Sequence, residues 1–358
     1  MRERFGPRTV LIPLFSVMGF FAIQISVAVI YIIVLAISSS LGSGGFDPNN
    51  MNDFINNINS VLGQHLVYIN GIFAIVIAIV ALFVIKALLK RNPLAVRREK
   101  VTAGVVISSI LVIIGATGAV TLMIAGISEL AKYVPAVDTA LRNYIELAEN
   151  FAGNGNVILL ILSTCVLVPI AEDLVFRGII QGEFRRVMPG WAAVIIQAII
   201  FSLVHGNAIQ ISYVLIPALV LGAVYEWTKS IYVPILMHMA FNFIGAAVPL
   251  MIQDNQNAES LFVVAELAMI PIGIVALLYV YSRRKREPPL VLAGPDGISI
   301  ETGETGETFE TRGTGETGGT VETRETGVVG KTGKTDATDA TDATDATENW
   351  IHKDSKKF

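Results

Sequence analysis

The sequence predicts an all-α, polytopic membrane bundle of about eight transmembrane helices followed by a disordered C-terminal tail. Three observations lead there. First, 53% of the 358 residues are hydrophobic and the mean hydropathy is +0.61, too apolar for a soluble globular chain of this length. Second, uncharged runs at 9–46 and 101–128 exceed the roughly 20 apolar residues that span a bilayer. Third, charge is segregated, with base in short loops and acid in the tail. The net charge of −4 therefore says little about partners, and no nucleic-acid partner is expected.

Taken in order, helices are expected at about 10–40, 65–89, 101–127, 154–186, 191–206, 208–227, 231–252 and 261–282. Arg2, Arg4 and Arg8 flank the first, but the apolar run 10–37 far exceeds the roughly 7–15 residues of a signal-peptide core. It reads as a retained membrane helix. The loop 90–100 is strongly basic, as are Arg177, Arg185 and Arg186 and the run Arg283-Arg284-Lys285-Arg286. The alternate loops 42–64 and 253–260 are neutral or acidic. The positive-inside rule then puts both termini in the cytoplasm, which an even helix count satisfies. An integral protein of the cell membrane is expected. Segment 129–153 repeats apolar residues at helical spacing among charges, which fits an interfacial amphipathic helix or a soluble cap.

From about Pro288 the chain turns into Glu-Thr-Gly and Thr-Asp-Ala repeats. Such a segment buries too little apolar surface to offset ordering entropy, so disorder is expected. The chain thus divides into helices one to three with the outer segment (1–153), helices four to eight (154–287), and the low-complexity cytoplasmic tail (288–358). The single cysteine, Cys165, excludes an intrachain disulfide and reads as inert core.

Chemistry is carried by polar groups inside apolar helices. They fall in Glu172-Asp173-Leu174-Val175-Phe176-Arg177-Gly178, in Phe201 to His205, and in His238 to Asn242. An ionised side chain at the centre of a membrane helix costs roughly 2.5–3.5 kcal/mol on insertion scales, so such groups face a polar interior and serve a purpose there. Asp173 and Arg177 are one turn apart and are expected to pair, each neutralising the other. Glu172 points about 100° away and is left for work. Taken singly, a membrane histidine is often a buried hydrogen-bonding residue, a helix-end Glu often reaches to the interface, and Asn often ties helices together. Here two of the four histidines follow closely after the acid pair. Lys86, Glu226 and Glu266 lie near expected helix ends and read as interface-seeking. At about 1.5 Å per residue, His238 lies about 10 Å from the inner end of its helix and His205 about 20 Å along its own. Aligning them needs a re-entrant turn near Gly206-Asn207 or tilted helices.

Other hydrolytic signatures are missing from the sequence: no His-Glu-x-x-His, no Gly-x-Gly-Asp, no Gly-x-Ser-x-Gly. No phosphate-binding glycine loop is present either, which argues against an ATP-driven pump.

Together the three motifs resemble the CPBP (Abi) family, which includes type II CAAX prenyl proteases and bacteriocin-processing enzymes. The family pattern Glu-Glu-x-x-x-Arg corresponds to Glu172, Asp173 and Arg177; Phe-x-x-x-His to Phe201 and His205; His-x-x-x-Asn to His238 and Asn242. Gly222, Tyr225, Thr228, Ser230 and Pro234 before the last motif also look familiar. The likeness covers about 154–250. One departure is Asp173, where the family carries a second Glu. A shorter acid serves if that position pairs with Arg177.

The resemblance implies an intramembrane endopeptidase acting on a membrane-bound or lipid-anchored protein. Glu172 would be general base on a water, His205 would share that activation, and His238 and Asn242 would stabilise the oxyanion. Peptide hydrolysis needs such a base and such donors. In a rival version Glu172, His205 and His238 hold a zinc-like divalent ion. A reading from another class keeps a non-catalytic transporter or scaffold whose buried polar residues are structural, although no internal repeat supports a transporter. The sequence fixes neither the substrate nor the oligomeric state.

Overall fold

The structure is a computed structural model that describes residues 5–42, 51–90, 96–152, 156–285, 290–293, 298–302, 308–312 and 324–325. Contacts divide the chain into two compact units, Arg2–Glu287 and Pro288–Phe358, the latter grouped with Met1.

The first unit is all-α. Among the described residues it holds α1 (Pro7–Gly42), α2 (Met51–Leu89), α3 (Ala103–Ala131), α4 (Pro135–Ala152), α5 (Val157–Arg185), α6 (Gly190–Leu203), α7 (Ala208–Thr228), α8 (Tyr232–Ile252) and α9 (Gln256–Ser282). Seven of these are long and apolar enough to cross a membrane: α1 over Pro7–Leu35, α2 over His65–Leu89, α3, α5, α7, α8 and α9. Large apolar side chains such as Phe15, Ile30 and Leu278 stand exposed along them, as hydrocarbon surroundings require.

The eighth expected span is a shorter apolar helix. Helix α6 has 14 residues, about 21 Å at 1.5 Å per residue, short of the roughly 30 Å hydrocarbon core. The apolar run 191–206 overstates it because the helix stops at a turn. Gly206 takes φ +72°, a left-handed conformation that favours glycine. Asn207 then caps α7, its Oδ1 accepting from the amides of Ile209 and Gln210. The turn falls at Gly206-Asn207, the place of one of the two arrangements expected to align the histidines.

The core is built on α5. Ala171, Phe176 and Ile180 are fully buried against Phe73, Ala74 and Ile77 of α2 and against Val214, Ala218 and Tyr225 of α7. Edge-to-face aromatic contacts run from α1 inward: Phe20 to Phe73 at 4.9 Å, Phe20 to Phe176 at 5.5 Å, and Phe176 to Phe201 at 4.9 Å.

A second contact joins α3 to α9 through small residues. A Cβ added to Gly115 would lie 2.7 Å from Gly273 Cα, and one added to Gly273 would lie 2.8 Å from Gly115 Cα. Glycine lets membrane helices approach this closely. At the same seam Glu266 is buried and accepts a 2.7 Å hydrogen bond from Thr121 Oγ1, rather than reaching to the interface. Glu226 is likewise no lone interface-seeking residue, because it pairs with Arg185 and with Lys229. Lys86 stands exposed in the last turn of α2.

Three polar segments meet at one end of the bundle. The Glu99 amide donates to Lys229 O at 3.0 Å, the Ile231 amide to Arg97 O at 3.0 Å, and Lys285 Nζ to Glu99 Oε2 at 2.7 Å. Lys229 ends α7 at φ 54°, and burial pushes its ammonium below the usual lysine value. The expected amphipathic segment forms α4. It packs against α2, α3 and α7, and its Tyr144 hydroxyl lies 3.1 Å from that of Tyr213.

The second unit is described only at four short strands, β1 (Leu290–Ala293), β2 (Ile298–Thr302), β3 (Thr308–Arg312) and β4 (Arg324–Glu325), paired antiparallel in that order. Val291, Ile298, Ile300 and Thr308 are β-branched, which favours strands. The rest of the tail reading falls on residues outside the described ones.

Candidate functional site

Helix α5 does not run uniformly. Its α-helical turn Val168–Asp173 sits between two π-helical segments, Ile161–Leu167 and Leu174–Gln181. A π segment shifts the register of the residues beyond it, and such segments recur at functional sites. Glu172 and Asp173 end that α-helical turn.

Asp173 and Arg177 are both fully buried, with Oδ1 2.9 Å from Nη1. The contact is an ion pair by distance; the guanidinium nitrogens make no well-angled hydrogen bond. The Arg177 charge also lies over the Phe201 ring, 4.2 Å from its centre. The sequence-read pairing is therefore present, with the shorter acid in place.

The other Asp173 oxygen, Oδ2, lies 3.3 Å from Nδ1 of His238 on α8. A carboxylate there accepts the Nδ1 proton and leaves Nε2 as the acceptor of a neutral ring. Nε2 lies 3.6 Å from Glu172 Oε2. That separation is beyond a direct hydrogen bond and suits a water held by both groups. Glu172 keeps some exposure, 14% of its side chain, while Asp173 has none.

His205 lies at the α6–α7 turn. Its Nδ1 is 2.8 Å from Phe201 O, so this nitrogen donates and Nε2 stays available. Phe201 gathers the two histidines, its ring edge-on to His205 at 5.0 Å and to His238 at 5.8 Å. Asn242 lies one turn after His238 on α8, just before the π segment Phe243–Ala247, and its Nδ2 donates to Thr164 O at 2.8 Å. Its amide has a second hydrogen to offer.

The sequence reading expected Glu172 to work with His205; the direct neighbour of Glu172 is His238. It also missed two contributors. Phe176 fills the space behind Phe201, a role its place inside the Glu172–Arg177 motif suggests. The Thr164 carbonyl carries no sequence signal, because it is a backbone group within the π segment Ile161–Leu167.

Among the described residues no three or more His, Cys, Asp or Glu side chains group so as to hold a metal ion.

Fold and site together define a polytopic helical membrane protein with a buried acid–histidine cluster. Residues 154–244 match the family model described as Rce1-like, type II CAAX prenyl endopeptidase Rce1-like. The match spans roughly a quarter of the chain, contains every site residue from Glu172 to Asn242, and supports the CPBP/CAAX protease family. No curated protein and no solved structure matches the chain.

Proposed function

We propose that this chain is an intramembrane endopeptidase that hydrolyses a peptide bond in a membrane-bound or lipid-anchored protein, with its site open towards the cytoplasm. The observation that carries this reading is the relay Arg177–Asp173–His238 facing Glu172. The family match and the apolar helices support a CAAX-type intramembrane protease at the level of the family.

In the proposed reaction a water sits between Glu172 and Nε2 of His238. Glu172 takes its proton as the oxygen attacks the carbonyl carbon, and later passes that proton to the departing amine. Asp173 holds the His238 ring in the tautomer that accepts from the water. Asn242 Nδ2 would donate to the tetrahedral oxygen, and His205 would share in activating the water. Arg177 and Phe201 fix the groups around them and touch no reacting atom. The matched description makes a prenylated Cys-a-a-X peptide the first substrate to try.

The test is incubation of the purified protein, in liposomes, with prenylated and unprenylated membrane peptides, reading new termini by mass spectrometry. Cleavage at a defined bond is expected. Solute flux through the same liposomes without any cleavage would replace the protease by a transporter.

A further inference from the structure

A cavity lies apart from the acid–histidine cluster, at the end of the bundle where the basic segments meet. It has a volume of about 480 Å³ and is lined by Lys100, Thr102, Gly104, Tyr279, Arg283 and Lys285. Below it a groove of about 500 Å³ runs between α3 and α9, with an almost wholly apolar lining that includes Leu111, Ile272 and Val275. Tyr279 lines both, so the cationic cavity and the apolar groove meet at its ring.

The charges are arranged for an anion. Lys100 and Arg283 are exposed, and among the described residues no carboxylate pairs with either. Arg283 rests over the Tyr279 ring, its guanidinium carbon 5.4 Å from the ring centre. Lys285 is held in place by Glu99 Oε2 at 2.7 Å and by Lys100 O at 2.8 Å. The cavity also faces the start of α3. Thr102 caps that helix without a side-chain hydrogen bond, and the first helical bonds come from the Val105 and Val106 amides. The amides of Ala103 and Gly104 thus precede the helical ladder, and the positive end of a long helix adds to the basic side chains.

We infer that this cavity and groove bind one anionic phospholipid, the phosphate headgroup among Lys100, Arg283 and the start of α3, and an acyl chain along the groove. Charge complementarity selects the headgroup, as at basic pockets between membrane helices. The groove separates a lipid from a free phosphate, since its exposed Ile272 and Val275 offer an anion nothing. The inference does not depend on the peptidase reading, because no residue of the acid–histidine cluster lines either space.

The test is native mass spectrometry of the full-length protein in detergent, supplied with phosphatidylglycerol or phosphatidylcholine, with glycerol phosphate as soluble competitor. Preferential retention of one phosphatidylglycerol is expected, unaffected by glycerol phosphate at equal concentration. K100A/R283A changes only exposed side chains and should weaken retention roughly tenfold or more. V275T keeps the volume of the groove wall and both charges, while making the wall polar, and should also weaken retention. Equal retention of both lipids, displacement by glycerol phosphate, or unchanged retention by both variants would each overturn the assignment.

Discussion

Asp173 and His238 are joined across two helices, Oδ2 to Nδ1 at 3.3 Å, while Oδ1 of the same carboxylate lies 2.9 Å from Arg177. One fully buried acid therefore balances a buried cation and orients the histidine that faces Glu172. Asp173→Asn leaves Arg177 buried without its counter-charge, at a cost of about 3–5 kcal/mol. The double variant Asp173→Asn/Arg177→Met removes both charges and should regain most of that stability. It should stay impaired in turnover, since His238 Nδ1 then faces a neutral amide in place of the carboxylate. Thermal unfolding in detergent, beside a peptidase assay, separates the two effects; an Asp173→Asn protein as stable as the parent would contradict the pairing.

Asn242 lies one helical turn after His238 on α8 and is tied to Thr164 O. If its second amide hydrogen stabilises the oxyanion, Asn242→Ala should lower kcat about 10²–10³-fold with a smaller change in KM. Asn242→Gln should fail to rescue it. A variant that loses thermal stability but keeps kcat would make Asn242 a helix tie alone.

Gly115 and Gly273 set the spacing of α3 and α9. The nearest atoms to an added Cβ at Gly115 are backbone, Gly273 Cα and Met269 O, which cannot rotate away. Gly115→Val should cost about 1–3 kcal/mol or more through overpacking. Gly126→Ala is the control, because nothing lies within 4 Å of its added Cβ, and it should be neutral or stabilising by up to about 1 kcal/mol. Equal melting behaviour of the two variants would contradict the close packing.

Metal removal tests the chemistry of the cluster. With Glu172 and His238 holding the water, protein stripped by chelator and shown metal-free by elemental analysis should keep its turnover. Activity lost on chelation and restored by one equivalent of zinc would make the cluster a metal site.

What was legible in the sequence followed from spacing. Residues four apart on a helix share a face, so the Asp173–Arg177 pair could be read directly. The apolar runs placed seven spans because length and hydropathy are local properties. Contacts between helices could not be read this way. That Glu172 faces His238 depends on the π segments flanking it, and π register leaves no mark in an apolar sequence. Helix α6 ends at Leu203, a few residues before the expected end, because the chain turns at Gly206. Glu266 looked interface-seeking because its partner, Thr121, lies on another helix. Gly115 and Gly273 carry meaning only once α3 and α9 are seen side by side.

The most direct test of the proposed chemistry is Glu172→Gln, which keeps the shape of the side chain and removes the base. Turnover of the purified variant on a membrane peptide should fall by at least about 10²–10⁴-fold, the typical contribution of a positioned general base. Its thermal unfolding should change little, since Glu172 is partly exposed and the buried ion pair belongs to Asp173 and Arg177. A folded Glu172→Gln protein that cleaves the peptide at the parent rate would contradict the assignment of Glu172 as the base.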